Sequence, residues 1–163
     1  MKFKKLEKFH TFHWKEIEGA DLCGKFEMPQ VMPIHHVTPQ KLVPFHMICS
    51  GRQSEGMQEK WVHFYIDDYQ FERLWNTPGK YLPMLQKFAG VISPDYSMYL
   101  DMPRAQQIWN CWRNRVTAYW MQKQGIPVIC NVGWSDAESL AWAFDGVPEH
   151  SVLAVTTQGC WKE

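Results

Sequence analysis

The chain of 163 residues lacks most of the patterns that assign a function at sight. It has no Cys-x-x-Cys pair. Cys23, Cys49, Cys111, Cys130 and Cys160 are odd in number and widely spaced, which disfavours zinc-ribbon and thioredoxin-like readings. Free thiols in a reducing cytoplasm fit that usage. Seven histidines are present without an H-E-x-x-H or Cys/His spacing, so a structural zinc site is disfavoured too. The absence of G-x-G-x-x-G and Walker patterns removes the standard dinucleotide and ATP sites. No apolar run reaches 18 residues, and none of signal-peptide length follows the basic start MKFKKLEKF; the expectation is a soluble protein with no membrane partner. Net charge is also missing: 17 basic residues balance 17 acidic ones, which disfavours a broad nucleic-acid-coating face. With no internal repeat or low-complexity linker, residues 1–163 read as one domain, with an irregular Pro-rich segment at about 1–42.

What the chain does carry is aromatic mass and a strand–helix rhythm. Aromatics make up 15%, including nine Trp, and such rings stabilise small cores or line pockets and interfaces. Lys2, Lys4, Lys5 and Lys8, interleaved with Phe3, Phe9, Phe12 and Trp14, read as a solvated or packing arm. Pro29, Pro33 and Pro39 then mark an extended crossing. VPFHMICS (43–50) reads as the first strand. In WVHFYIDDYQFERLW (61–75), Val62, Phe64 and Ile66 share one face, and Trp61, His63, Tyr65 and Asp67 the other. That strand ends at Asp67-Asp68 and turns into a helix, with Asp67 and Gln70 as its capping pair. The third strand, AGVISPDYS (89–97), is followed by Pro103 at the start of a long helix reaching about Gln124. Its apolar stripe is Ala105, Ile108, Trp109, Trp112, Val116, Tyr119 and Trp120, with Arg113 and Arg115 flanking it and most simply structural. After Gly125 come a fourth strand, IPVICNVGW, then a Ser135/Glu138 capping box opening another helix, and a fifth strand, SVLAVTT.

Strand and helix alternating at this spacing predict an α/β fold of about five mainly parallel strands with covering helices. Two architectures satisfy it: an open three-layer sheet, or an incomplete β/α barrel favoured by the polar face of Trp61, His63, Tyr65 and Asp67. In parallel folds of either kind, ligands bind beyond the carboxyl ends of the strands. That rule collects Asp67, Asp68, Asp95, Tyr96, Ser97, Asn131, Trp134, Thr156, Thr157 and Gln158, with Arg104 at the start of the long helix nearby. Asp67 and Asp68 point opposite ways from a strand, so one of them is expected to cap the helix and at most one to face a pocket. The facing one would join Asp95 as a Mg²⁺ pair or an acid/base pair, making Asp67, Asp68 and Asp95 the candidate catalytic groups. Asn131, Arg104 and Tyr96 would orient a substrate, and Trp134 would stack on it. His46 and His63, on adjacent strands, are expected to be hydrogen-bonding rather than ligating. Cys130 reads as a small hydrophobe, and Cys160 has no identifiable base. Trp109, Trp112 and Trp120 read as core.

The blocks VHFYIDDYQFERLWNTP, GVISPDYSMYLDMPRAQQIWN, WRNR, GIPVICNVGW and FDGVP, in that order, resemble an uncharacterised domain-of-unknown-function family of phage- and plasmid-borne bacterial genes. The resemblance spans about Pro29 to Cys160. It departs from the family pattern at Cys130, usually Pro, and at Trp112, often Tyr. The family pattern continues past Cys160, so the expectation is either a shortened member or a truncated chain whose last strand lies exposed or against a partner. What the resemblance implies is a mobile-element origin without a known reaction; the expected location, from the cysteine usage and the lack of a long apolar run, is the host-cell cytoplasm. Two functions follow as expectations. One is an enzyme acting on a nucleotide, nucleic acid or other phosphate- or sugar-containing substrate, with a divalent metal such as Mg²⁺ as an allowed cofactor. The other is a non-catalytic counter-defence protein that binds a host protein or a small signalling ligand.

Overall fold

The computed structural model describes residues 13–51 and 55–157; the basic arm up to Phe12, Gln158 and Cys160 lie outside the described residues. A short antiparallel hairpin, β1 (Leu22–Cys23) and β2 (Met28–Pro29), precedes a five-stranded sheet. That sheet consists of β3 (Leu42–Pro44), β4 (Trp61–His63), β5 (Gly90–Ile92), β6 (Val128–Asn131) and β7 (Leu153–Ala154). All its pairings are parallel and the strands stand in chain order. The protein is therefore α/β, as the alternation predicts. Between the strands run α1 (Phe45–Cys49), α2 (Glu72–Asn76), α3 (Pro78–Leu85), α4 (Arg104–Lys123) and α5 (Leu140–Ala143). Among the described residues no helix is long and apolar enough to cross a membrane.

Register explains the core. Val43 pairs with Val62, Val62 with Val91, and Val91 with Val128, so one valine from each of four strands lines up on a single face. Side chains from α1 to α4 close over that row: Phe45, Ile48, Leu74, Leu85, Ala118 and Met121 are all buried in the same cluster. The opposite face presents Trp61, Ile92 and Ile129, and is met by Ile34 and Val37 of the Pro-rich crossing. Gly90 is needed there, because a Cβ would run into the Trp61 ring of the neighbouring strand. Val152 donates its amide to the Ile34 carbonyl at 2.9 Å, tying the crossing to the β7 side of the sheet. A doubly wound sheet reverses its strand order part-way; five strands in chain order with α1 to α4 on one face are a wound β/α series of the barrel type.

Three local expectations need correction. VPFHMICS is a strand only to Pro44, after which Phe45 and Ile48, three apart, enter the core as one turn of α1. A short apolar run is ambiguous between the two periods, and here the helical one wins. The Ser135/Glu138 capping box does not form, and α5 has no side-chain cap; a reciprocal pair one position on closes the turn before it, where Ser139 Oγ accepts from the Asp136 amide at 3.1 Å and the Ser139 amide donates to Asp136 Oδ1 at 2.9 Å. Glu138, the expected partner of Ser135, instead meets Arg104. Finally, α4 turns its polar side to the sheet. Gln107, Asn110, Asn114 and Thr117 are buried, whereas Trp109 of the apolar stripe is 42% exposed.

Candidate functional site

The loop after β5, Pro94 to Ser97, is fixed at every residue that matters for the rim. Asn114 Nδ2 donates to the Pro94 carbonyl at 2.5 Å, and Asn110 Nδ2 to the Ser97 carbonyl at 2.6 Å. Both amides project from α4 four residues apart, so one helix face grips both ends of the loop. From the other side the Asp68 carboxylate accepts the Ser97 amide at 3.1 Å and the Ser97 hydroxyl at 2.9 Å. Asp68 therefore braces one loop on another and caps no helix. Asp67 is exposed, with its carboxylate accepting from Gln70 Nε2 at 3.2 Å and making no side-chain cap. The expected division, one aspartate on the helix and one in the pocket, is replaced by one in solvent and one in a loop-to-loop brace.

Held in this way, Asp95 meets the end of β6. Asn131 Nδ2 donates to Asp95 Oδ1 at 2.7 Å, while Asn131 Oδ1 accepts the Tyr65 hydroxyl at 3.1 Å. Asn131 is buried, and its own amide donates to Ser93 Oγ at 2.8 Å. The three side chains thus form a chain from the end of β4 to the loop after β5, by way of β6. Burial pushes the Asp95 carboxyl up to about 6, against the Asn131 hydrogen bond that favours its charge and with the Asp68 charge reinforcing the rise. Burial, and then the charge of Asp95, keep the Tyr65 hydroxyl firmly protonated. On the β4 side the Tyr65 ring stacks on His63 at 5.5 Å, and His63 Nδ1 accepts the Tyr65 amide at 3.2 Å. Burial and the neighbouring His46 lower the His63 imidazole, so it stands neutral and directs its proton from Nε2. His46 belongs to α1 rather than to a strand.

A small cavity of ≈ 20 Å³, room for one water molecule, opens at Asp95 between Asn110, Asn114, Arg115, Asn131 and Gly133. Gly133 matters at its mouth: a Cβ there would stand 3.8 Å from Asp95 Oδ1. Next to it Trp134 is 47% exposed and stacks with the equally exposed Phe144 at 6.3 Å. Of the other expected binding groups, Tyr96 borders the cavity but is buried, its ring lying beneath the Arg113 guanidinium at 4.0 Å. Arg104 pairs with Asp136 at 2.5 Å and Glu138 at 3.1 Å, locking the start of α4 to the loop after β6. Thr156 and Thr157 follow β7 and do not line the cavity. Cys130 is fully buried, and burial raises its thiol. Among the described residues no three His, Cys, Asp or Glu side chains converge as metal ligands.

Sequence reasoning passed over Asn110 and Asn114, placed Tyr65 only on the polar face of its strand, and read Arg115 as structural, which it is. Arg115 is buried and donates to the carbonyls of Asn131, Ala143 and Asp145 and to Asn114 Oδ1, which ties the ends of β6 and α5 to α4. The signal for the two asparagines was readable: Gln107, Asn110, Asn114 and Thr117 recur at steps of three and four, a polar stripe of helical period.

A family model described as "Domain of unknown function (DUF4417)" matches residues 20–163. The chain is 36% identical over 135 residues to the "Gene 1 protein" of Mycobacterium phage D29, covering 82% of this chain and 49% of that protein. With the "Gene 1 protein" of Mycobacterium phage L5 it shares 31% identity over 156 residues, 90% of this chain and 68% of the relative. The chain thus spans about half the length of the first of these relatives. No solved structure matches it. With a match over nearly its whole length and phage proteins among its relatives, the chain belongs to the DUF4417 family.

Proposed function

We propose that this phage-associated protein is an acid–base enzyme that acts on a nucleotide-type substrate, gripping its sugar or base rather than its phosphate. The observation that carries this is Asp95, a buried carboxyl pushed up to about 6 at the end of a parallel strand and opening on a small polar cavity. A general acid or base works best when its protonation midpoint lies near the working pH, and burial is the usual means of moving a carboxyl there. At pH 7 Asp95 is mainly ionised and takes a proton; below about 6 it gives one. The cations bordering this region, Arg104, Arg113 and Arg115, are already engaged by carboxylates, side-chain amides or carbonyls, which favours recognition through ring and hydroxyl groups. Trp134 and Phe144 offer an exposed aromatic surface beside Gly133 for stacking.

The test is turnover of a panel of nucleosides, nucleotides and short oligonucleotides by the full chain and by Asp95→Asn. The expected result is a loss of kcat by about 100-fold or more in the variant with no fall in its unfolding midpoint. Absence of turnover by the native chain across the panel contradicts the reading. A second reading, capture of a host protein, draws on the exposure of Trp134, Leu140 and Phe144 at 47%, 45% and 48%. A binder of that kind keeps its affinity in Asp95→Asn and loses it in Trp134→Ala.

A further inference from the structure

We infer that Tyr65 is a positioning residue for this site: its hydroxyl holds the Asn131 side-chain amide in the orientation that presents NH₂, and not oxygen, to Asp95. The inference rests on the acid–base reading for its functional meaning, but its geometry stands apart from any activity. An asparagine amide has two nearly isosteric orientations, and only its hydrogen-bond partners distinguish them. Here Asn131 Oδ1 is taken by the Tyr65 hydroxyl at 3.1 Å and Nδ2 by Asp95 at 2.7 Å. Asn131 is 2% exposed, so bulk water reaches neither partner, and the cavity beside it has room for one water molecule. Tyr65 is itself held twice, by its amide bond to His63 Nδ1 and by ring stacking on His63. The phenol therefore arrives at Asn131 from a fixed direction.

The arrangement has a reversible form. With Asp95 ionised, Tyr65 donates to Asn131, which donates to Asp95. With Asp95 protonated, the carboxyl can donate to Asn131 Oδ1, the amide turns over, and its NH₂ donates to the Tyr65 oxygen. Each group keeps a partner in both forms, since a hydroxyl both donates and accepts. Removing the hydroxyl leaves one amide atom unpaired in a buried place, and Asn131 no longer serves the ionised carboxyl as a fixed donor. Among the described residues the other titratable or charged groups around Asp95 are Asp68, from the turn after β4, Tyr96, from its own loop, and Cys111 and Arg115, from α4; burial keeps Tyr96 and Cys111 protonated, and none of the four hydrogen-bonds the Asn131 side-chain amide.

The experiment is a carboxyl ¹³C titration of Asp95 by NMR in the full chain, in native, Tyr65→Phe, Asn131→Leu and double-variant forms, with the Asn131 side-chain amide followed in parallel. The expected result is a midpoint raised by about half to one pH unit in Tyr65→Phe, because a donor to the charged form is weakened. Asn131→Leu should move it at least as far, and the double variant no further than Asn131→Leu alone. In the native chain the Asn131 amide signals should shift with the Asp95 midpoint, a readout that survives even if a variant fails to fold. An unchanged midpoint in Tyr65→Phe, additive effects in the double variant, or an Asn131 amide indifferent to the Asp95 transition overturns the inference. None of these readouts needs a substrate, so failure of the enzymatic reading would show separately, as absence of turnover.

Discussion

Asp95 carries a proton-affinity shift that works against the fold. Its carboxyl stands at about 6 against an ordinary 3.8, because burial penalises the charge. The contribution to stability is full below the unfolded-state value and is lost as pH rises through the folded one, so the native protein bears the penalty from about pH 6 upward. Asp95→Asn removes the charge and with it the penalty. Urea unfolding should find the variant more stable than the native chain by about 2 kcal/mol at pH 8, and nearly level with it at pH 3.5. A variant less stable at pH 8 would show that the carboxylate is structural. Asp95 and Asn131 were legible in the sequence because polar residues closing apolar runs fall at strand ends. Tyr65 was legible only as a member of the polar face of its strand. Its reach to Asn131 depends on strand order, which alternation of residues does not encode.

At the scale of elements, α4 is the organiser. Its polar stripe grips the loops after β5 and β6, and Arg115 alone joins four acceptors spread over α4, β6 and the end of α5. A lysine ammonium cannot reproduce that planar fork, and buried carbonyls left without donors are costly. Arg115→Lys should therefore destabilise the protein by about 3 kcal/mol, read as a lowered denaturation midpoint. A change within about 0.5 kcal/mol would mean that water or other donors replace it. The boundaries of α4 were legible from Pro103 and Gly125, which suit the two ends of a helix for opposite reasons. Its orientation was not. Trp120 enters the sheet-side core as expected, yet Trp109 and Trp112 face Trp75, with Trp112 also near the N-terminal residues Trp14 and Ile17, because the sheet side there had to supply donors to loop carbonyls.

For the whole molecule, the sheet in chain order settles which of the two expected architectures was built, and it places the rim. Each strand ends on the same side, so Tyr65, Asp95, Asn131 and Gly133 come together although 68 positions separate the first from the last. Alternation made the strand count and parallel sense readable; the one-way winding came from packing, with every helix from α1 to α4 on the valine face. The central claim is that this rim receives a nucleotide-type ligand at Asp95. The most direct measurement is an amide ¹H–¹⁵N titration of the full chain with nucleosides and nucleotides. The account predicts shifts centred on Asp95, Asn131, Gly133 and Trp134, and their loss in Gly133→Leu, whose side chain would stand over the carboxyl. No shifts at millimolar ligand, or shifts centred away from these residues and unchanged in Gly133→Leu, would contradict it.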